Sequence, residues 1–487
     1  MRLLILCALF LPIVYLAVRQ KKWYLYLLFA FMGVLPEQFS VRLHDSLPLL
    51  TATRILILIL LGFWLYDKWK TRKVRFPKSI ALFFAVNLIV SLVNLRYGTD
   101  DIKRIFLLVF ERALLVVMLM DMISDREEFL RCIDFSIMGC AALAVIGILQ
   151  TVFDYDVASV LHLTETFSSI QLSDRMGLTR AFGTFNAISF GCYCAFMGML
   201  ILYRLWNTKS IWHGIAFALT FTALICTFTR SAWLCFAAIA FVLLIMYRTQ
   251  LLRRLVPAIA FTLALLVVLC CCQPKLLHAF VETGKSSINT ILRIIPEPVI
   301  ALFLPDTPGE TIDSNNDGIP ELPGFQLDED FGANASDPTY SRSAQWTAVQ
   351  YMTQEGQLLF GYGYNALIRG KIHFFFDRWA AQWQPTTFLD VGLVALLTES
   401  GLIGALSLMG LLGYMLVQAF RKRSKEEKFD FYRLTLLMLP LYLLLNYLAA
   451  FLNGGIVWLF FALFYAYENL DKQRISAPEK SAEKEGS

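Results

Sequence analysis

The chain has 487 residues, 57% of them hydrophobic and only 17% charged, a balance that excludes an ordinary soluble domain and points to a polytopic membrane protein. The formal net charge of +5 would suit an anionic partner, but most Lys and Arg sit in short segments on one side of the apolar runs. The charge therefore sets topology, and no nucleic-acid partner is expected.

A helix needs about 20 apolar residues to cross the hydrocarbon. That length predicts an all-α polytopic integral membrane fold with spans near 3–18, 23–36, 49–66, 79–95, 104–121, 131–153, 187–204, 211–229, 231–247, 255–272, 388–419, 431–449 and 452–468. The first two are short, so the count is twelve or thirteen. Basic residues collect at Arg19 to Lys22, at 68–78, at Arg204, at Arg253 and Arg254, and from Arg421 to Lys428, which assigns that side to the cytoplasm. Four parts follow. An N-terminal bundle fills 1–272, an extracytoplasmic cap 273–387 and a group of C-terminal spans 388–470. The cytoplasmic tail 471–487, polar and low in complexity from Ile475, is expected to be disordered. The ten cysteines lie in or beside apolar segments and read as small packing residues.

Ionisable groups inside a span are costly and face a partner helix or a wet cavity. Glu111 and Arg112 lie in the fifth span, and as helix neighbours they point about 100° apart, so each should pair with another helix. Arg54, near the outer end of its span, is expected to snorkel, with the phosphate chemistry below as its alternative use.

The cap changes character along its length. Residues 286–304 are apolar but broken by Pro296 and Pro298, which suits two short interfacial helices. Residues 305–337 hold nine Asp or Glu and no Lys or Arg. Within them Asp313, Asn315, Asp317 and Glu321, with Gly318, have the spacing of a calcium loop. Alternate oxygen-bearing side chains could converge on one structural ion there, or the run could be a solvated acidic loop. A helical pattern returns from about Thr339 to Gln354, and the aromatic run 371–384 suits an interfacial helix. Gly361 and Gly363, with Asn365, predict a tight turn leading back to the membrane.

Four patterns recur in order: Arg180 to Asn186, Thr227 to Trp233, Arg342 to Trp346 followed by Phe360 to Asn365, and Asp390 to Gly404. Together, with the large loop between the second and fourth, they resemble the O-antigen ligase and polymerase family of bacterial envelope proteins over roughly 175–420. The resemblance implies glycosyl transfer, outside the cytoplasm, from a polyprenyl-pyrophosphate-linked glycan to an acceptor glycan or glycolipid. The setting it implies is the bacterial inner membrane, with no cofactor required.

Such a reaction expels a diphosphate, whose charge must be met by fixed cations at headgroup level. Arginine stays protonated and bonds phosphate in a bidentate way, which makes Arg180, Arg230 and Arg342 the candidate clamp. The ligases resemble one another in a His-Asn pair before Glu-x-Gly. Here Asp390 and Val391 occupy those positions ahead of Glu399, as in polymerase-like relatives, so Asp390 is the candidate base. Asp390 as a helix cap is the alternative. Glu399, Gly401 and Gly404 are expected to serve close helix packing. A transporter or flippase for lipid-linked sugars, and a catalytically inactive family member, are the competing readings.

Overall fold

The computed structural model describes residues 15, 19–32, 34–35, 40–41, 48, 50–71, 76–98, 100–153, 172–173, 178–184, 187–208, 210–246, 248–281, 346–364, 373–377, 382–385, 391–424, 429–448 and 455–485. The span expected at 3–18 falls largely outside them. So do Arg342, Asp390, the calcium-loop residues Asp313, Asn315, Asp317 and Glu321, and the segment 286–337.

The fold is α-helical. In chain order the helices are α1 (Lys21–Phe31), α2 (Ala52–Thr71), α3 (Lys78–Asn94), α4 (Asp100–Leu107), α5 (Leu114–Met122) and α6 (Arg126–Val152). Then come α7 (Ala187–Asn207), α8 (Ile211–Cys226), α9 (Arg230–Met246), α10 (Arg248–Cys272) and the short α11 (Thr347–Gln354). The chain closes with α12 (Gly392–Lys422), α13 (Phe431–Leu448) and α14 (Gly455–Glu485). Five helical stretches, Lys78–Tyr97, Arg126–Val152, Ala187–Asn207, Leu255–Cys272 and Gly392–Lys422, are long and apolar enough to cross a membrane; Ile211–Cys226, Arg230–Met246 and Phe431–Tyr447 are shorter and apolar. Among the described residues, strands form only three two-stranded antiparallel ribbons.

Helix α7 is the centre of the bundle and is buried along nearly its whole length. Its sequence explains this, because small residues let neighbours approach closely. A Cβ on Gly198 would lie 2.8 Å from the Phe236 ring of α9, and one on Gly191 would lie 3.0 Å from Thr227 Oγ1. Cys132, Cys140, Cys192, Cys194, Cys226 and Cys235 are buried in the same core. At one end of the bundle Arg204 forks onto both carboxylate oxygens of Asp134, at 2.6 Å each, and His213 Nε2 lies 3.0 Å from Asp134 Oδ1, tying α6, α7 and α8 together. Helix α6 starts cleanly because the Asp125 side chain accepts from the Glu128 amide at 2.8 Å.

Four expectations are corrected. The aromatic run is not a helix: His373–Asp377 pairs with Gln382–Pro385 as an antiparallel hairpin, in register Phe375 to Gln384 and Phe376 to Trp383. Aromatic residues favour a pleated surface as readily as an interface, and this run carries no helical periodicity. The tail does not end its structure at Ile475, since α14 continues to Glu485, as Ala, Glu and Lys propagate a helix already nucleated by an apolar segment. The fifth span is not a continuous α-helix; Leu108–Ala113 between α4 and α5 is a π-turn. Arg54 does not snorkel but pairs with Glu111.

Candidate functional site

Helix α8 stops at Cys226 and α9 starts at Arg230, leaving a turn too short to relax. Phe228 takes a φ of 51°, the one positive value at a non-glycine residue among the described residues. Strain of this kind persists only where the surroundings over-determine it, and it gathers at functional sites. The surroundings here are specific. Thr227 Oγ1 donates to the Leu224 carbonyl at 2.7 Å and accepts from the Thr229 amide at 3.2 Å. The Trp233 indole donates to the same Leu224 carbonyl at 2.7 Å.

Arg180, from a segment far back in the chain, closes the turn. Its Nε donates to the Thr227 carbonyl at 2.7 Å and its Nη2 to Thr229 Oγ1 at 3.0 Å. Thr229 Oγ1 in turn donates to the Ala187 carbonyl at 3.2 Å, at the start of α7. The first two motifs therefore meet: Arg180 is bonded to the residue immediately before Arg230, and both arginines are half-buried. The Arg180 segment is itself fixed by Gln150 of α6. That fully buried carboxamide accepts from the Phe182 amide at 3.2 Å and the Gly183 amide at 2.8 Å, and donates to the Gly183 carbonyl at 2.9 Å. Gly183 needs its φ of 57° to present both backbone groups to one side chain. Gln150→Leu leaves those backbone groups buried without partners, at about 1–3 kcal/mol each. The expected result is a drop in the melting temperature of the detergent-purified protein and a loss of transfer activity together.

A second assembly fixes the segment Leu358 to Tyr364. Residues Leu358 to Gly363 cross α12 as a strap where Gly401, at φ 63°, breaks the helix. The strap amides of Tyr362 and Gly363 donate to the carbonyls of Thr398 (2.8 Å) and Glu399 (3.1 Å), while the helix amides of Leu402 and Ile403 donate to those of Leu358 (2.8 Å) and Leu359 (3.1 Å). Gly401 was expected to serve packing between helices; it instead opens one. Gly361 and Gly363, at φ 74° and 86°, make the expected return turn. Buried polar side chains from α3 and α4 clamp the assembly. Asn94 Nδ2 donates to the Phe360 carbonyl at 2.7 Å, Arg104 Nη1 to the Glu399 carbonyl at 3.0 Å, and the Asp101 carboxylate accepts from the Tyr364 amide at 3.2 Å. None of Gln150, Asn94, Asp101 or Arg104 was singled out from sequence. Their only local signal is a polar residue in or beside an apolar run.

Trp346 packs against Tyr447 at the end of α13, with ring centroids 6.4 Å apart. Val391 is buried with Ala348, Met352, Tyr362 and Val394 in a small core, and it is the N-cap residue of α12. Arg342 and Asp390 lie outside the described residues.

The fold and the site define a multi-pass α-helical membrane protein with a strained arginine-braced turn and a strap seated in a broken helix. Residues 215–409 match the family model described as O-Antigen ligase, a region that takes in the Thr227 to Arg230 turn, the cap and the break in α12. The match supports assignment to the O-antigen ligase and polymerase family, whose function lies in polysaccharide assembly on lipid-linked glycans in a membrane. No match to a curated protein was found.

Proposed function

We propose that the protein is an inverting glycosyltransferase of cell-surface polysaccharide assembly. It takes a glycan from a polyprenyl-pyrophosphate carrier on the outer face of a bacterial inner membrane and joins it to an acceptor sugar, as a polymerase in preference to a ligase. The observation that carries this reading is Arg180 bonded across the Thr227 to Thr229 turn beside Arg230. One cation from a distant segment is thus fixed onto the turn whose next residue is the second, Arg230, and a departing diphosphate requires fixed positive charge of this kind. Arg342, four residues before Trp346 in the sequence, is the third member of the clamp in this reading.

In the reaction the acceptor hydroxyl oxygen attacks the anomeric carbon, its proton passes to the Asp390 carboxylate, and the bond from that carbon to the diphosphate oxygen breaks. The bonding pair leaves on the diphosphate, where the guanidinium groups meet the new charge. The aspartate in place of the ligase histidine favours polymerase. A transporter would use the exposed peptide groups of a broken helix to bind its cargo. In α12 the strap occupies those groups.

A deletion strain tests the reading. Carrier-linked single repeats should accumulate while long chains disappear. Long chains that remain unattached would identify a ligase, and an unchanged glycan profile would reject transfer altogether.

A further inference from the structure

A second polar cluster, unused by the chemistry above, surrounds the π-turn Leu108–Ala113. Arg54 Nε of α2 pairs with Glu111, and the two side chains remain 18% and 26% exposed. Arg112 turns to another neighbour, its guanidinium 5.4 Å above the Trp458 ring of α14. The strap runs on into Tyr364, whose amide is held by both Asp101 oxygens at 3.2 and 3.3 Å. The Tyr364 phenol is pushed up to about 12 by burial first, with the Glu399 carboxylate adding to the shift, Arg112 and Arg54 opposing it and Glu111 adding again. Arg54, Glu111, Arg112 and Glu399, from three helical segments, all act on this one phenol.

Helix tethering alone does not account for this arrangement. A buried ion pair is a poor tether, because desolvation cancels much of the attraction, and this one is kept partly open instead of sealed. π-turns are rare and concentrate at functional sites. The fully buried Asp101 serves to hold the backbone that carries Tyr364. The charges also indicate the ligand. Arg54 pairs with Glu111, and the buried Arg104 stands with Arg112 among Asp101 and Glu399, so a diphosphate would meet as many carboxylates as guanidinium groups. Carboxylates that accept and guanidinium and phenol groups that donate match instead the adjacent hydroxyls of a sugar.

We propose that Arg54, Glu111, Arg112 and Tyr364 form a saccharide subsite that holds the acceptor glycan, separate from the Arg180 and Arg230 turn that takes the donor diphosphate. The word acceptor rests on the transferase reading; the binding of sugar does not. The test uses the full-length protein in nanodiscs and, as probe, the lipid-free oligosaccharide released by mild acid from the host's polyprenyl-linked pool. Binding is read by saturation-transfer NMR, with melting temperatures as the folding control. Wild type should bind, and Glu111→Gln should bind about tenfold more weakly through the loss of one charged acceptor. Tyr364→Phe, which removes one oxygen and spares the ion pair, should weaken binding comparably. Gly410→Ala, with nothing within 4 Å of the added Cβ, should bind as wild type does. Equal binding by both subsite variants, or no binding by wild type, overturns the proposal. So does displacement of the oligosaccharide by inorganic pyrophosphate, which would mark a phosphate site. Binding with no transfer from an intact donor would leave the subsite standing and reject the transferase reading.

Discussion

Arg230→Ala should lower glycan transfer by about 10²–10³-fold, the loss seen when one fixed donor to a developing oxyanion is removed. The side chain stands at the first position of α9, after a turn already locked by Thr227, Thr229 and Trp233, so its loss should leave the turn intact. The melting temperature should change little while turnover collapses. Arg230→Lys should recover part of the rate, because an ammonium keeps the charge and loses the bidentate fork. Arg180→Ala should show a different signature, since Arg180 also braces the turn through Thr227 and Thr229. It should lose both activity and thermal stability. The comparison is made on membranes supplied with the lipid-linked repeat, reading polymer length and melting in parallel.

Gly401→Ala should prevent the strap from seating and give little folded protein. A Cβ at this position would fall on the Leu359 carbonyl, well inside van der Waals contact, and the residue sits at φ 63°. The left-handed backbone alone costs roughly 1–2 kcal/mol for a residue with a side chain. The clash cannot relax cheaply, because both surfaces are backbone and both are held by the strap's hydrogen bonds. The combined penalty is on the order of 4 kcal/mol, among the largest single-residue effects. Gly410→Ala on the same helix is the control. Nothing lies within 4 Å of its added Cβ, so it should be neutral or stabilising by up to about 1 kcal/mol. Yields and melting temperatures of the two variants in detergent separate a site-specific break from a general intolerance of larger residues in α12.

The readable parts of this molecule were those whose signal is local. Apolar length marked the spans, the Gly361 and Gly363 pair marked the return turn, and the Thr-Arg-Ser sequence marked the turn at Arg230. Glu111 and Arg112 were expected to find separate partners, and they do. What failed was decided by contacts distant in sequence. The Gly401 break looks like packing glycine until the strap is seen to satisfy the peptide groups it frees. The π-turn at Leu108–Ala113 leaves no mark, since an apolar run remains apolar when its register slips by one residue. Gln150 appears as one polar residue in an apolar span, and its meaning depends on backbone groups at Phe182 and Gly183. The hairpin at 373–385 was misread because aromatic density is shared by interfacial helices and by strands.

The most direct test of the central claim is a coupled count in a purified system. Full-length protein in nanodiscs is given a defined polyprenyl-pyrophosphate-linked repeat, and released polyprenyl diphosphate and new glycosidic bonds are measured together. The account predicts one diphosphate released for each bond formed in wild type, with both quantities lost in Arg230→Ala. Repeats that cross the bilayer with carrier and glycan still joined, or bonds formed at an undiminished rate in Arg230→Ala, would contradict it.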